Sequence, residues 1–139
     1  MIELESDEDL VRAFPIMRQL RPHLTEQTFI QRVRDGKIAE NYRLFALEND
    51  GALVALCGVQ DIVTLYYTDT LWVSELITDE GSRSKGLGGQ MLEEVEEWAK
   101  RNGYRQLALS SGVQRKDAHR FYTDKMGFSL FGYEFRKSL

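Results

Sequence analysis

Arg83-Ser84-Lys85-Gly86-Leu87-Gly88 joins an apolar, β-compatible run to a long amphipathic helix, and its reading decides the fold. The stretch has the form Arg-x-x-Gly-x-Gly and opens directly into Gly89-Gln90-Met91-Leu92. Glycine lets a backbone approach a ligand where a Cβ would obstruct it. A helix start leaves N–H groups without partners, and its dipole favours negative charge. With Arg83 and Lys85 alongside, these features make a seat for a pyrophosphate. Two better-known glycine loops do not fit. A P-loop requires Gly-x-x-x-x-Gly-Lys-Ser/Thr; Gly81 and Gly86 have that separation, but Leu87 and Gly88 stand where the Lys and Ser/Thr must be. A dinucleotide fingerprint requires a third glycine where this chain has Met91.

On either side the chain reads as alternating short elements. Ile2 to Glu5 alternates as a strand. Ser6-Asp7-Glu8-Asp9 has the form of an N-cap with an acidic residue three positions on. The helix that follows places Leu10, Val11, Phe14, Met17 and Leu20 on one face, with Pro15 as an interior disturbance. Arg21-Pro22-His23 breaks it. A second helix is expected from Thr25 to about Arg34, ended by Asp35-Gly36. Tyr42 to Glu48 and Ala52 to Val59 are strands joined by the hairpin signal Asn49-Asp50-Gly51.

Asp61 to Thr70 is less regular, and Leu71 to Thr78 is an apolar central strand. From about Leu87 to Arg101, Leu87, Met91, Leu92, Val95, Trp98 and Ala99 share a face opposite Glu93, Glu94, Glu96, Glu97 and Lys100, with Asn102-Gly103 as the stop. Gln106 to Ser110 is a strand, Asp117 to Met126 a helix, and Ser129 to Arg136 a final strand carrying Phe131, Tyr133 and Phe135. The order β-α-α-β-β-β-α-β-α-β is that of an α/β (α+β) fold, a mixed central sheet of about six strands with helices on both faces.

The bulk numbers restrict the function classes. A chain of 139 residues suits a single domain, 1–139, that buries roughly two thirds of its unfolded surface. No apolar run approaches the ~20 residues of a membrane span, and the acidic N-terminus lacks a signal-peptide pattern. Eighteen basic against 22 acidic residues, with no basic block, argue against nucleic-acid binding. A mildly acidic surface suits a cationic amine. The single cysteine, Cys57, lies in an apolar run and reads as a small buried hydrophobe. No His/Cys/Asp spacing points to a metal. A cytoplasmic location is expected.

The ordered set of strand, Arg83–Gly88 loop, helix, strand and Ala118-His119-Arg120-Phe121-Tyr122…Gly127-Phe128 resembles the GNAT superfamily of acyl-CoA-dependent N-acetyltransferases. The resemblance is clear from about Leu71 to the C-terminus and looser before it. It implies the GNAT-like acetyltransferase fold and transfer of an acetyl group from acetyl-CoA to a primary amine by direct attack. The acceptor is a small molecule or a protein amine, selected by the N-terminal helices and the Asp61–Thr70 segment. The competing expectation is a sensor or partner module that binds acyl-CoA without turnover. In this family aromatic C-terminal strands often pair, which leaves a homodimer open.

The resemblance also assigns residues. Arg83, Ser84, Lys85, Gly86, Leu87 and Gly88 cradle the pyrophosphate, mostly through backbone N–H groups. Leu76, Ile77 and Thr78 pair their main chain with the pantetheine arm, as an added strand would. An N–H near Ile77 donates to the thioester carbonyl. Tyr122 matches the tyrosine that serves as general acid beside the sulfur, since a phenol donates without being charged. Glu75, on the central strand among expected apolar neighbours, is the candidate base, against the plainer reading of a sheet carboxylate paired to an Arg or Lys. The chain departs from the pattern twice. Gly127 lies five residues beyond Tyr122 where the family more often has four, and Arg115 stands where many members have Asn. His119 reads as a surface or coenzyme-rim histidine, and His23 with Arg21 as rim of the acceptor pocket. Trp72, Tyr66 and Tyr67 fit either a wall for the amine or core packing.

Overall fold

A computed structural model describes all residues, Met1–Leu139. Contacts divide the chain into two compact units, Met1–Ala108 and Leu109–Leu139. The first holds β1 (Ile2–Glu3), α1 (Asp7–Leu20), α2 (Glu26–Glu40), β2 (Arg43–Asn49), β3 (Ala52–Asp61), β4 (Thr70–Thr78), α3 (Leu87–Arg101) and most of β5 (Gln106–Leu109). The sheet order is β1-β2-β3-β4-β5, and its first three junctions are antiparallel. β5 follows β4 through α3, the connection a parallel neighbour requires, so the sheet is mixed.

Alternation along the strands splits the core between two faces. Leu44, Ala46, Leu56 and Ile77 pack with Leu4, Leu10, Ala13, Ile16, Met17 and Phe29, under α1 and α2. On the other face α3 buries Met91, Leu92, Val95 and Ala99, and the Trp98 ring packs tilted against Phe45 at 5.0 Å. The buried stripe of α1 is Leu10, Ala13, Ile16 and Met17, whereas Val11, expected inside, is 43% exposed. Ser6 caps α1 as its sequence suggests: its side chain accepts the Asp9 N–H and the Asp9 carboxylate accepts the Ser6 N–H, at 3.1 and 3.2 Å. The Asp50-Gly51 turn has φ of 49° and 79°, the positive pair that matches strand twist in a two-residue hairpin.

Two expectations are corrected. α2 does not stop at Asp35-Gly36 but continues to Glu40, ending where Asn41 adopts the left-handed conformation (φ 52°). An interior glycine costs a helix about 1 kcal/mol and does not by itself end it. The expected strand Ser129 to Arg136 is not formed, so the mixed sheet has five strands, close to the six or so expected. Its alternation of Phe131, Tyr133 and Phe135 is present, but a strand exists only when its backbone finds a ladder partner. Leu130, Phe131, Tyr133 and Phe135 are all exposed.

In the second unit, α4 (Lys116–Arg120) continues as a single π-helical turn, Phe121–Lys125. The Met126 N–H reaches back to the Phe121 carbonyl at 3.2 Å, and the Phe128 N–H to that of Tyr122 at 2.9 Å. A π turn takes up one more residue than an α turn, which is how the chain absorbs its longer spacing from Tyr122 to Gly127. No helix is long and apolar enough to cross a membrane.

Candidate active site

β4 passes into α3 through Asp79–Gly86, and α1 pins the entrance to this connection. The Asp79 carboxylate accepts the Gly81 N–H at 3.1 Å and Gln19 Nε2 at 2.8 Å, while Gln19 Oε1 accepts the Glu80 N–H at 3.0 Å. After a 3₁₀ turn (Glu80–Ser82), Arg83 is extended, Ser84 turns left-handed at φ 64°, and Gly86 does so again at φ 75°. Gly86 is the N-cap of α3, and no side chain caps that helix. The contrast within the molecule is informative. α1 carries Asp7, Glu8 and Asp9 in its first turn and α2 carries Glu26, but the first turn of α3 has no acid. The N–H groups and positive dipole end of α3 are therefore left for an anion from outside. Arg83 and Lys85 stand exposed beside it. These donors and charges fit a pyrophosphate.

Glu75, Leu76, Ile77 and Thr78 occupy the part of β4 that leads into this loop. A bulge precedes them: Gly58 of β3 faces Glu75 and Val59 faces Val73, so Ser74 has no partner opposite. β5 meets β4 at its start, where the Arg105 N–H donates to the Asp69 carbonyl at 2.8 Å and Thr70 Oγ1 to Gln106 Oε1 at 3.1 Å. β5 itself has only four residues.

The surroundings of Glu75 are not the apolar ones expected for a base; the carboxylate is paired to an arginine, as the plainer reading had it. Tyr42 donates its hydroxyl to Oε2 at 2.9 Å, and Arg21 Nη2 donates to Oε1 at 3.2 Å and to the Ser74 carbonyl at 3.1 Å. The carboxylate side chain is only 17% exposed. Burial, reinforced by the neighbouring carboxylate, pushes the Tyr42 phenol well above its usual range. Burial also pushes the Cys57 thiol up, so Cys57 is an inert core residue. Gly58 supplies the space for the Tyr42–Glu75 bond, because a Cβ there would overlap both the phenol and Oε2. Gly58→Ala is expected to break this bond and cost roughly 2 kcal/mol in urea unfolding; unchanged stability would show that the pair has room to separate.

Tyr122 sits at the π turn, edge-on to Phe121 at 5.3 Å and to Phe128 at 5.8 Å. His119 Nε2 lies 2.9 Å from the Gly112 carbonyl, which ties the histidine to its own loop, and Arg115 is the N-cap residue of α4. His23 is exposed. Trp72 is half-buried opposite Gln60, while Tyr66 and Tyr67 pack edge-on at 5.0 Å in the irregular segment. Sequence reading passed over Tyr42, Gly58 and Gln19. The signal for the first two was an isolated glycine inside an apolar strand, which marks a bulge or close approach.

The sequence model of the Acetyltransferase (GNAT) family matches residues 7–128, across both units. The chain belongs to this family. As a GNAT acetyltransferase, an acyltransferase by class, it has relatives of similar length. N-acetyltransferase YhdJ of Bacillus subtilis (strain 168), itself described as uncharacterized, is 44% identical over 137 residues, spanning 99% of this chain and 96% of that one. The aminoalkylphosphonate N-acetyltransferase of Salmonella typhimurium (strain LT2) is 32% identical over 140 residues, spanning 96% and 86%. The solved structure of aminoglycoside N-acetyltransferase AAC(6')-Iy in complex with CoA superposes with a TM-score of 0.82 at 14% identity, covering 97% of this chain and 91% of that one. The GNAT fold implied by the Arg83–Gly88 resemblance is therefore the one observed.

Proposed function

We propose that this GNAT acetyltransferase acts as one functional domain, moving an acetyl group from acetyl-CoA to a primary amine by direct attack. The observation that carries this reading is the uncapped, acid-free N-terminus of α3, entered through a left-handed Gly86 at the end of the loop from β4. Bound acetyl-CoA supplies a thioester whose acetyl carbon bonds to the amine nitrogen as its carbon–sulfur bond breaks. Arg83, Ser84, Lys85, Gly86, Leu87 and Gly88 hold the pyrophosphate. The main chain of Leu76, Ile77 and Thr78 receives the pantetheine arm, and an N–H near Ile77 donates to the thioester oxygen. Glu75 takes a proton from the acceptor's ammonium, freeing the nitrogen lone pair. Tyr122 gives its phenol proton to the departing sulfur, and the second proton lost by the nitrogen as the amide forms restores the phenol.

An aminoalkylphosphonate is the first acceptor to try, because the Salmonella relative carries that name. Other small amines and protein amines follow. The cytoplasm, where acetyl-CoA is available, is the proposed site of action.

Calorimetric titration of acetyl-CoA, coenzyme A and desulfo-coenzyme A into the purified chain tests the donor site. Micromolar binding is expected; no binding would reduce the loop to a connector and remove the enzymatic reading. For the base, Glu75→Gln is expected to flatten the ascending limb of the pH–rate profile and to lower kcat roughly 100-fold. An unaltered profile would move the base elsewhere.

A further inference from the structure

Several separate features of the chain converge on one hydrogen bond. Gly36 sits inside α2 although glycine weakens a helix; a Cβ there would press on Tyr42 Cβ at 3.1 Å. Asn41 turns left-handed at the end of α2, and the Tyr42 N–H then donates to the Gly36 carbonyl at 3.1 Å. These two residues send the Tyr42 ring under the sheet. Gly58 clears the space its hydroxyl occupies, and the bulge beside Gly58 places Glu75 opposite. From the other side, the end of α1 contributes Arg21, whose Nη2 joins Glu75 Oε1 to the Ser74 carbonyl left over by the bulge. Two locally unfavourable glycines, one left-handed asparagine and one bulge together seat the Tyr42 ring against the core and set the orientation of a single carboxylate.

We propose that Tyr42 and Arg21 are positioning residues for Glu75, each holding one carboxylate oxygen so that the group is aimed at the acceptor's ammonium. This rests on the reading of Glu75 as the base. The titratable groups facing Glu75 are Arg21 from the end of α1, Tyr42 from the turn before β2, and Cys57 from β3. Cys57 is held neutral by burial, and Tyr42 remains a protonated donor for the same reason. The carboxylate is therefore oriented by the Tyr42 hydrogen bond and the Arg21 guanidinium, and losing either frees one of its oxygens.

The test sets turnover against donor affinity. With 2-aminoethylphosphonate as acceptor, Tyr42→Phe is expected to lower kcat about tenfold, while acetyl-CoA affinity by calorimetry stays within about twofold. Arg21→Gln is expected to do the same, and serves as the second variant should Tyr42→Phe fold poorly; Arg21→Lys is expected to restore part of the loss. Tyr42→Phe added to Glu75→Gln lowers kcat less than twofold further. An unchanged kcat in both variants overturns the proposal. So does a full further loss in the double variant, because Tyr42 would then only pack. If Glu75→Gln itself leaves the kinetics intact while Tyr42→Phe does not, it is the assignment of the base that fails.

Discussion

Gly88→Glu should abolish acetyl-CoA binding while leaving the protein as stable as before. Gly88 is the second residue of α3, in ordinary helical backbone, so a side chain there meets no conformational barrier. Glutamate is a better helix former than glycine, and a carboxylate in the first turn of a helix gains about 0.3–1 kcal/mol from the dipole. Backbone conformation and dipole thus both favour the substituted helix. The same carboxylate, however, supplies internally the negative charge that α3 otherwise lacks, and it repels a pyrophosphate from the same N–H groups. Like charges brought together at a binding site cost several kcal/mol, so a loss of at least ~100-fold in affinity is expected by calorimetry, about 2.7 kcal/mol. A thermal melt run alongside should show an equal or higher Tm. Unchanged affinity would remove the phosphate assignment, and a collapsed Tm would mean that the position is needed for packing.

Tyr122→Phe is expected to lower kcat by roughly 100-fold, the lower end of what a positioned general acid supplies. The affinity for acetyl-CoA should stay within about twofold of the parent. The separation follows from what the substitution removes. The ring remains, and with it the edge-on contacts to Phe121 and Phe128 at 5.3 and 5.8 Å, so the π turn is kept. Only the hydroxyl is lost, and on this reading it acts when the sulfur departs, after the donor is bound. Single-turnover thiol release together with equilibrium binding distinguishes the cases. Equal losses in kcat and affinity would make Tyr122 a packing residue.

Much of this protein was legible locally. The capped start of α1, the Asp50-Gly51 hairpin, both ends of α3 and the glycine loop are short-range features in which neighbouring residues decide the backbone. Glu75 was legible as a position on the central strand but not as an environment. Arg21 lies 54 residues away from it and Tyr42 lies 33 away, and no periodicity links them. The misplaced end of α2 has the same cause. Gly36 looks like a helix stop when read along the chain, whereas in three dimensions it is the space under Tyr42. The unformed strand at Ser129–Arg136 shows the converse, since side-chain alternation marks a segment able to pair but cannot supply the edge it pairs with.

The sequence by itself thus determined the element order as far as α4, and the family, because both rest on motifs of residues adjacent in the chain acting through local backbone preference. Only the tertiary structure decided that α3 is the helix left without an acid or a cap, that β4 is bulged at Ser74, and that the carboxylate beyond the bulge is gripped from α1 and from the end of α2. Those facts depend on packing distant segments to within hydrogen-bond range, where a missing Cβ at Gly58 matters as much as any side chain present.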